Sequence, residues 1–199
     1  MDMWDTPVLE TERLLLRPFT EDDLPAVFAI FSDREVNRFL PWFPVRTMEE
    51  AESFFQERYA AAYRDRSAWK FAICLKRDDI PLGYVTLSGD DSHDLGYGLR
   101  RESWGMGIAT EAGQAVIRQA GAGGLPYLTA THDRENPRSG RVMARLGMSY
   151  RYSYQEQWQP KNIPVIFRLY QLDLDGQRER TYRKYWDQSA VHFVEKEII

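Results

Sequence analysis

One cysteine and three histidines among 199 residues close off two kinds of chemistry at the outset. A lone Cys74 cannot form a disulfide within the chain, and inside the run Phe71-Ala-Ile-Cys-Leu75 it reads as a small buried hydrophobe. His93, His132 and His192 are scattered, with no spacing that gathers them around an ion, so no metal site is expected. His132, at the end of a strand, is kept as a minor site candidate. No apolar run approaches the ~20 residues of a membrane span. The stretch Met1-Asp-Met-Trp-Asp-Thr-Pro7 lacks the basic and apolar regions of a signal peptide. Lys and Arg number 26 against 30 Asp and Glu, a net charge of -4, so the broad positive field of a nonspecific nucleic-acid binder is missing. Internal repeats, low-complexity segments and linkers are missing too. These absences point to one domain over residues 1–199, cytoplasmic, with neither nucleic acid nor membrane as partner. What is present, 43% hydrophobic and 14% aromatic residues, is enough to build a core.

The apolar pattern reads as β-α-α-β-β-β-α-β-α-β-β. Arg13-Leu-Leu-Leu-Arg17 is a first strand, closed by Pro18. Thr20-Glu-Asp-Asp23 and Thr47-Met-Glu-Glu50 each resemble a capping box, so two helices follow. Trp69 to Leu75, Leu82 to Leu87 and His93 to Leu99 alternate as strands joined by short turns, an antiparallel meander. A helix from about Gly107 carries Ile108, Ala112, Ala115 and Val116 on one stripe, and Gly121-Ala-Gly-Gly124 ends it. Tyr127 to Thr131 is a short strand. Asn136 reads as an N-cap before Pro137, and that helix stops at Gly147. Met148 to Trp158 and Val165 to Leu174 form a long hairpin. Its alternation puts Tyr150, Tyr152 and Tyr154 on one face, with Trp158 further along, to line a cleft or to pack a partner copy in a homodimer. The fold class is therefore α+β. The aromatic, charged segment from Gly176 is expected to pack as a helix or loop on the body.

Arg100-Arg-Glu-Ser-Trp-Gly-Met-Gly-Ile-Ala-Thr-Glu-Ala112 sits where a strand passes into a helix. Gly105 and Gly107 allow the backbone to turn tightly and aim its amides at the positive end of a helix dipole, a place for an anionic phosphate group. The spacing lacks the third glycine of a dinucleotide fingerprint, since Thr110 stands there, and no Gly-Lys-Ser/Thr follows, so a nucleoside triphosphate loop is not expected.

This element order, with two local motifs, resembles the GNAT acyltransferase family, and within it the branch of RimJ/RimL-type N-acetyltransferases. The motifs are Trp104-Gly-Met-Gly-Ile-Ala-Thr-Glu111 and Asn136-Pro-Arg-Ser139 followed by Leu146-Gly-Met148. The resemblance covers roughly Glu12 to Leu172, leaving about 176–199 as an extension. It implies a mixed, mostly antiparallel central sheet of about seven strands flanked by about four helices. It also implies acetyl-CoA as co-substrate, with no metal. Amides of Gly105, Met106, Gly107, Ile108 and Ala109, with Trp104 and Thr110 beside them, would receive the pyrophosphate. The strand end at Leu99, Arg100 and Arg101 would run along the pantetheine arm, where a strand parts from its neighbour. Asn136 would bond the same arm, and a β-branched residue at Gly107 would obstruct the close approach of the diphosphate. Ser139 would stand near the thioester sulfur and return a proton to the leaving thiolate. Many family members use a tyrosine for this where the present chain has Met143, which has no proton to give.

The chemistry implied is direct attack of an amine on a thioester. An ammonium must first lose a proton, and an α-amine (pKa about 8) costs roughly 3 kcal/mol less to deprotonate than a lysine-type amine (about 10.4). Asp94, on the strand leading to the loop, is the candidate base, and a backbone amide near Leu99 would polarise the thioester oxygen. The acceptor is expected to be an amine: a protein N-terminus of the ribosomal-protein kind, or a small molecule such as an antibiotic, polyamine or amino-acid analogue. A non-catalytic acyl-CoA sensor is the reading from a different class. The acceptor pocket is expected among Phe39 to Phe43, the early helices and the strand from Ser149.

Overall fold

The computed structural model describes residues 3–177, 179–196 and 198. Met1, Asp2, Arg178, Glu197 and Ile199, which belong to the terminal segments read above, lie outside the described residues. Nine strands form two antiparallel sheets among these residues, where the sequence suggested one central sheet of about seven. The first sheet holds β1 (Leu9–Glu10), β2 (Leu14–Arg17), β3 (Ala68–Leu75), β4 (Pro81–Ser88) and β5 (Leu95–Leu99), paired in that order. The second is ordered β6 (Tyr127–Asp133), β8 (Ile163–Asp173), β7 (Ser149–Trp158), β9 (His192–Phe193). The two meet at one point. Asp94 and Thr129 form a single parallel bridge, and the Thr129 amide donates to the His93 carbonyl at 3.3 Å. From there β5 keeps its bonds to β4, β6 keeps its bonds to β8, and a gap opens between them.

Helices cover both faces. α1 (Leu24–Phe31) follows a 3-10 turn in which the Asp23 carboxylate accepts the Thr20 amide at 2.8 Å, the back-bond expected of a capping box. α2 (Met48–Phe55) is capped by Thr47, whose hydroxyl accepts the Glu50 amide at 3.2 Å. The Glu50 carboxylate reaches one residue further back than expected, to the Arg46 amide at 2.7 Å. α2 then runs through a π-helical stretch, Gln56–Ala60, into α3 (Ala61–Asp65). These helices bury Val27, Ile30, Phe31, Phe55 and Tyr59 against Ala72, Cys74 and Tyr84 of the sheet. α4 (Ile108–Ala122) and α5 (Pro137–Arg145) lie on the opposite face. α4 buries the stripe read from the sequence: Ile108, Ala112, Ala115 and Val116. Ile108 and Val116 each contribute about 1.5–3 kcal/mol by leaving water.

The tyrosine stripe of β7 is corrected by a bulge. The register slips between Tyr150 and Tyr152, so Tyr150 turns to the α4–α5 core while Tyr152 and Tyr154 face the other side of the sheet. There the C-terminal extension covers them. α6 (Lys184–Gln188) brings Tyr185 flat against Tyr154, rings 5.0 Å apart at 18°, and Trp186 edge-on to Tyr152 at 5.4 Å. β9 then adds to the edge of β7, and Glu195 crosses to Arg168 on β8. Among the described residues no helix is long and apolar enough to cross a membrane.

Candidate active site

The loop after β5 is shaped by its own chain. The Trp104 indole folds back and donates to the Leu99 carbonyl at 2.9 Å, with the Arg138 guanidinium 5.2 Å over its ring. Gly105 and Gly107 both take left-handed angles, φ 76° and 77°. A Cβ at Gly105 would meet nothing within 4 Å, and one at Gly107 only Arg13 at 3.7 Å. The backbone sign, not a crowding neighbour within the chain, therefore selects glycine. Gly107 caps α4 without a side chain, so the amides of Ile108, Ala109 and Thr110 begin the helix with no acceptor of their own. Met106 projects outward, 57% exposed. An open hollow of about 450 Å³ adjoins the loop, lined by Thr11, Gly107, Thr110, Gln114, Arg118 and Arg145 among others.

A residue that the sequence reading passed over holds this loop. Arg13, just before β2, donates to the Met106 carbonyl at 3.1 Å and to the Glu111 carboxylate at 2.7 Å. Thr11 Oγ1 donates to the same carboxylate at 2.5 Å. Burial alone would raise the Glu111 pKa, but these bonds outweigh it and hold the group below its usual value. The helix start thus keeps its positive field, because its one acidic side chain is already paired. No local sequence signal links residues 98 apart.

The edge of β5 turns a row of main-chain groups away from β4, of which the Leu99 carbonyl accepts the Trp104 indole. The Arg100 amide donates to Leu82 and the Ser88 amide to Asp94, so even-numbered positions bond β4. Alternation along an antiparallel ladder then turns the amides and carbonyls of Leu95, Tyr97 and Leu99 toward the gap. Arg101 makes an ion pair with Asp33 at the end of α1 (2.8 Å), so this side chain ties α1 to the loop. Arg100 stays close to the chain, with a buried Nε that has no partner among the described residues.

Three candidate side chains surround the gap. Asn136 stands before α5 as expected, but its side chain makes no capping bond, which corrects the cap reading; its carbonyl accepts the Ser139 amide at 3.2 Å. Tyr97 of β5, which the sequence did not single out as a site residue, donates its hydroxyl to the Ser139 carbonyl at 2.8 Å and lies 3.0 Å from Ser139 Oγ. Met143 is 1% exposed in the core and has no access to the gap. Asp94 sits where the sheets part, its carboxylate 3.5 Å from Thr129 Oγ1. Burial, and then the charge of Asp90, push its pKa up to about 7 against the pull of Thr129. Tyr97, Tyr154 and Tyr185 lie within electrostatic reach of it. His132 is 4% exposed, its Nδ1 2.8 Å from the Asp133 carbonyl and its ring against Tyr170, a packed position beneath α5. Lys161 at the tip of the β7–β8 hairpin donates to the carbonyls of Asn37 and Arg38 at 3.2 and 3.1 Å. The hairpin thereby reaches the loop that carries Phe39 to Phe43.

Comparison with known proteins adds to this geometry. Residues 13–149 match the model of the acetyltransferase (GNAT) domain. A Bacillus subtilis (strain 168) protein named as the uncharacterized N-acetyltransferase YoaA is 32% identical over 147 residues, covering 71% of this chain and 82% of its own. An acetyltransferase of the GNAT family from Bacillus anthracis superposes with a TM-score of 0.73 at 25% identity, over 85% of this chain and 99% of that one. The fold is shared as well by RimL, a ribosomal L7/L12 α-N-protein acetyltransferase solved with coenzyme A, with a TM-score of 0.74 at 17% identity over 85% and 99% of the two chains.

Proposed function

The chain belongs to the GNAT acetyltransferase family, and from that premise we propose that it moves an acetyl group from acetyl-CoA to an α-amine, at the N-terminus of a peptide or protein. The observation that carries this reading is the gap between β5 and β6, flanked by main-chain groups of Tyr97 and the amide of Leu99 that β4 does not bond, and opening onto the two left-handed glycines. The residues present fit the co-substrate. Amides from Gly105 to Thr110 hold the pyrophosphate, the β5 edge pairs with the pantetheine arm as an added strand, and the free side chain of Asn136 bonds that arm. Bound there, acetyl-CoA supplies an activated acyl carbon.

The chain's own groups do the rest. An amide of the β5 edge near Leu99 polarises the thioester oxygen. Asp94 accepts the proton of the incoming amine, directly or through one water. Its value near 7 lies about one unit below an α-amine and more than three below a lysine, so the transfer costs about 1.4 kcal/mol for the first and more than 4 for the second. That difference favours the α-amine. Ser139, whose hydroxyl lies 3.0 Å from that of Tyr97, returns a proton to the departing thiolate. The likeness to RimL, whose name specifies α-N-protein acetylation, agrees with this choice of acceptor.

The test combines calorimetry with acetyl-CoA and thiol release against a panel of peptides and small amines. Binding, with CoA release that depends on a free peptide N-terminus, is the expected result. Gly107→Val should weaken acetyl-CoA binding more than tenfold, because a β-branched residue resists φ 77°. Release with small amines alone would move the acceptor to that class. Binding without release from any amine would make the protein a sensor, and no measurable affinity for acetyl-CoA would end the reading.

A further inference from the structure

α4 and α5 present a positive face in an acidic chain. They carry Arg118, Arg138, Arg141 and Arg145, all exposed, against a single carboxylate, Glu111, which Arg13 and Thr11 already hold. Arg138 lies over the Trp104 ring. The side chains of Arg118, Arg141 and Arg145 make no ion pair or hydrogen bond among the described residues, whereas exposed Arg66 and Arg101 find Asp5 and Asp33. Like charges gathered without a counter-ion favour an anion from outside the chain. Two of the three border one space. Arg118 and Arg145, from different helices, line the open hollow of about 450 Å³ that begins at Gly107 and Thr110. Arg118 stands about 12 Å along the helix axis from Thr110, and a helical side chain leans toward the N-terminus, back over the hollow. Glu12 lines the same hollow and forms an ion pair with neither arginine. Arg141 shares a face of α5 with Arg145 but does not border the hollow.

We propose that Arg118 and Arg145 seat the ribose 3′-phosphate of coenzyme A, beside the diphosphate at the glycine loop, and so select the coenzyme over its 3′-dephospho form. The inference rests on the acetyl-CoA reading and adds to it the recognition of a second anionic group. A phosphate monoester carries about −1.5 to −2 charges at pH 7 and three acceptor oxygens, and a guanidinium fork matches two of those oxygens at once. Forks from two helices grip one such group from two sides. Both arginines are exposed, so added salt weakens the contact.

Calorimetry with CoA and with 3′-dephospho-CoA, at one fixed ionic strength, tests this without knowledge of the acceptor. Wild-type protein should bind CoA about tenfold more tightly than the dephospho form. Arg118→Met and Arg145→Met should each weaken CoA about fivefold while changing dephospho-CoA less than twofold, so the ratio between the two forms shrinks. Arg141→Met makes the same charge change outside the hollow and should leave the ratio as it was. Equal binding of the two forms by the wild type overturns the proposal. So does a ratio unchanged in either hollow variant, or an Arg141→Met effect as large as theirs, which would reduce the preference to overall charge. If the wild type binds neither form, the acetyl-CoA reading itself falls, and the seat with it. Tight but equal binding leaves that reading standing, so the two failures are distinct.

Discussion

Asp94 shows how far one side chain's behaviour depends on where two sheets part. Its unfolded pKa is near 3.9 and its folded value about 7, so the native state holds the proton more tightly. Stability therefore falls as pH rises from about 4 to 7, and above 7 the protein carries a buried charge that the unfolded chain does not. Part of that penalty is relieved because Asp94 as a whole residue is only half-buried. Asp94→Asn should raise the melting temperature by about 3–6 °C at pH 8, corresponding to ~1–2 kcal/mol, and change it little at pH 4, as scanning calorimetry would register. The same substitution should lower acetyl transfer by about 10²–10³ and flatten the rise in rate through pH 7. A stability gain without a rate loss would make Asp94 a strained structural residue and not the base.

Among elements, the loop before α4 and the start of α5 are set by partners distant in sequence. Arg13 from the β2 end grips both Met106 and Glu111, so the glycine turn between them is held in place by the chain itself. Arg13→Met should raise the KM for acetyl-CoA about fivefold to tenfold with kcat changed less than twofold, because the residue shapes the loop and touches no reacting atom. An unchanged KM would mean the glycines hold the turn unaided. α5 meets its constraint at Gly140, where a Cβ would lie 2.7 Å from Nε2 of the buried His132 ring. Gly140→Ala should cost about 1–3 kcal/mol by denaturant melts, since neither the ring nor the helix can yield freely. A neutral result would show that α5 can slide.

For the whole molecule, the C-terminal extension wraps both faces of the second sheet. α6 covers Tyr152 and Tyr154 on one face, β9 extends the edge, and Glu195 binds Arg168 and Ser153 on the other. Arg168 and Glu195 are 12% and 14% exposed, so loss of one partner strands a largely buried charge. Glu195→Gln should destabilise the protein by roughly 2–3 kcal/mol at pH 7. Bonds from Arg168, then Ser153, hold the Glu195 pKa below its ordinary value. Its stabilisation is therefore present above the unfolded carboxylate pKa and disappears as pH falls through the folded one, so wild type and variant should converge in acid melts. Equal melting at pH 7 would mean that the aromatic contacts alone fasten the extension.

The sequence by itself determined the element order from β2 to β8, though not the two-residue strands β1 and β9, together with the buried stripe of α4, the placement of Gly105 and Gly107 and the separation of Asn136 from Ser139. These follow from periodicity, capping and backbone sign, which act over a few residues at a time. Tertiary structure decided what depends on contact between distant segments. It placed Arg13 on the loop, brought the Tyr97 hydroxyl to Ser139, raised Asp94 by enclosing it, and divided one expected sheet into two. The β7 bulge is the sharpest case. Tyr150, Tyr152 and Tyr154 alternate perfectly in sequence, yet one extra residue in the register sends Tyr150 to the opposite face, because pairing with β8 and the demands of two separate cores outweigh local alternation.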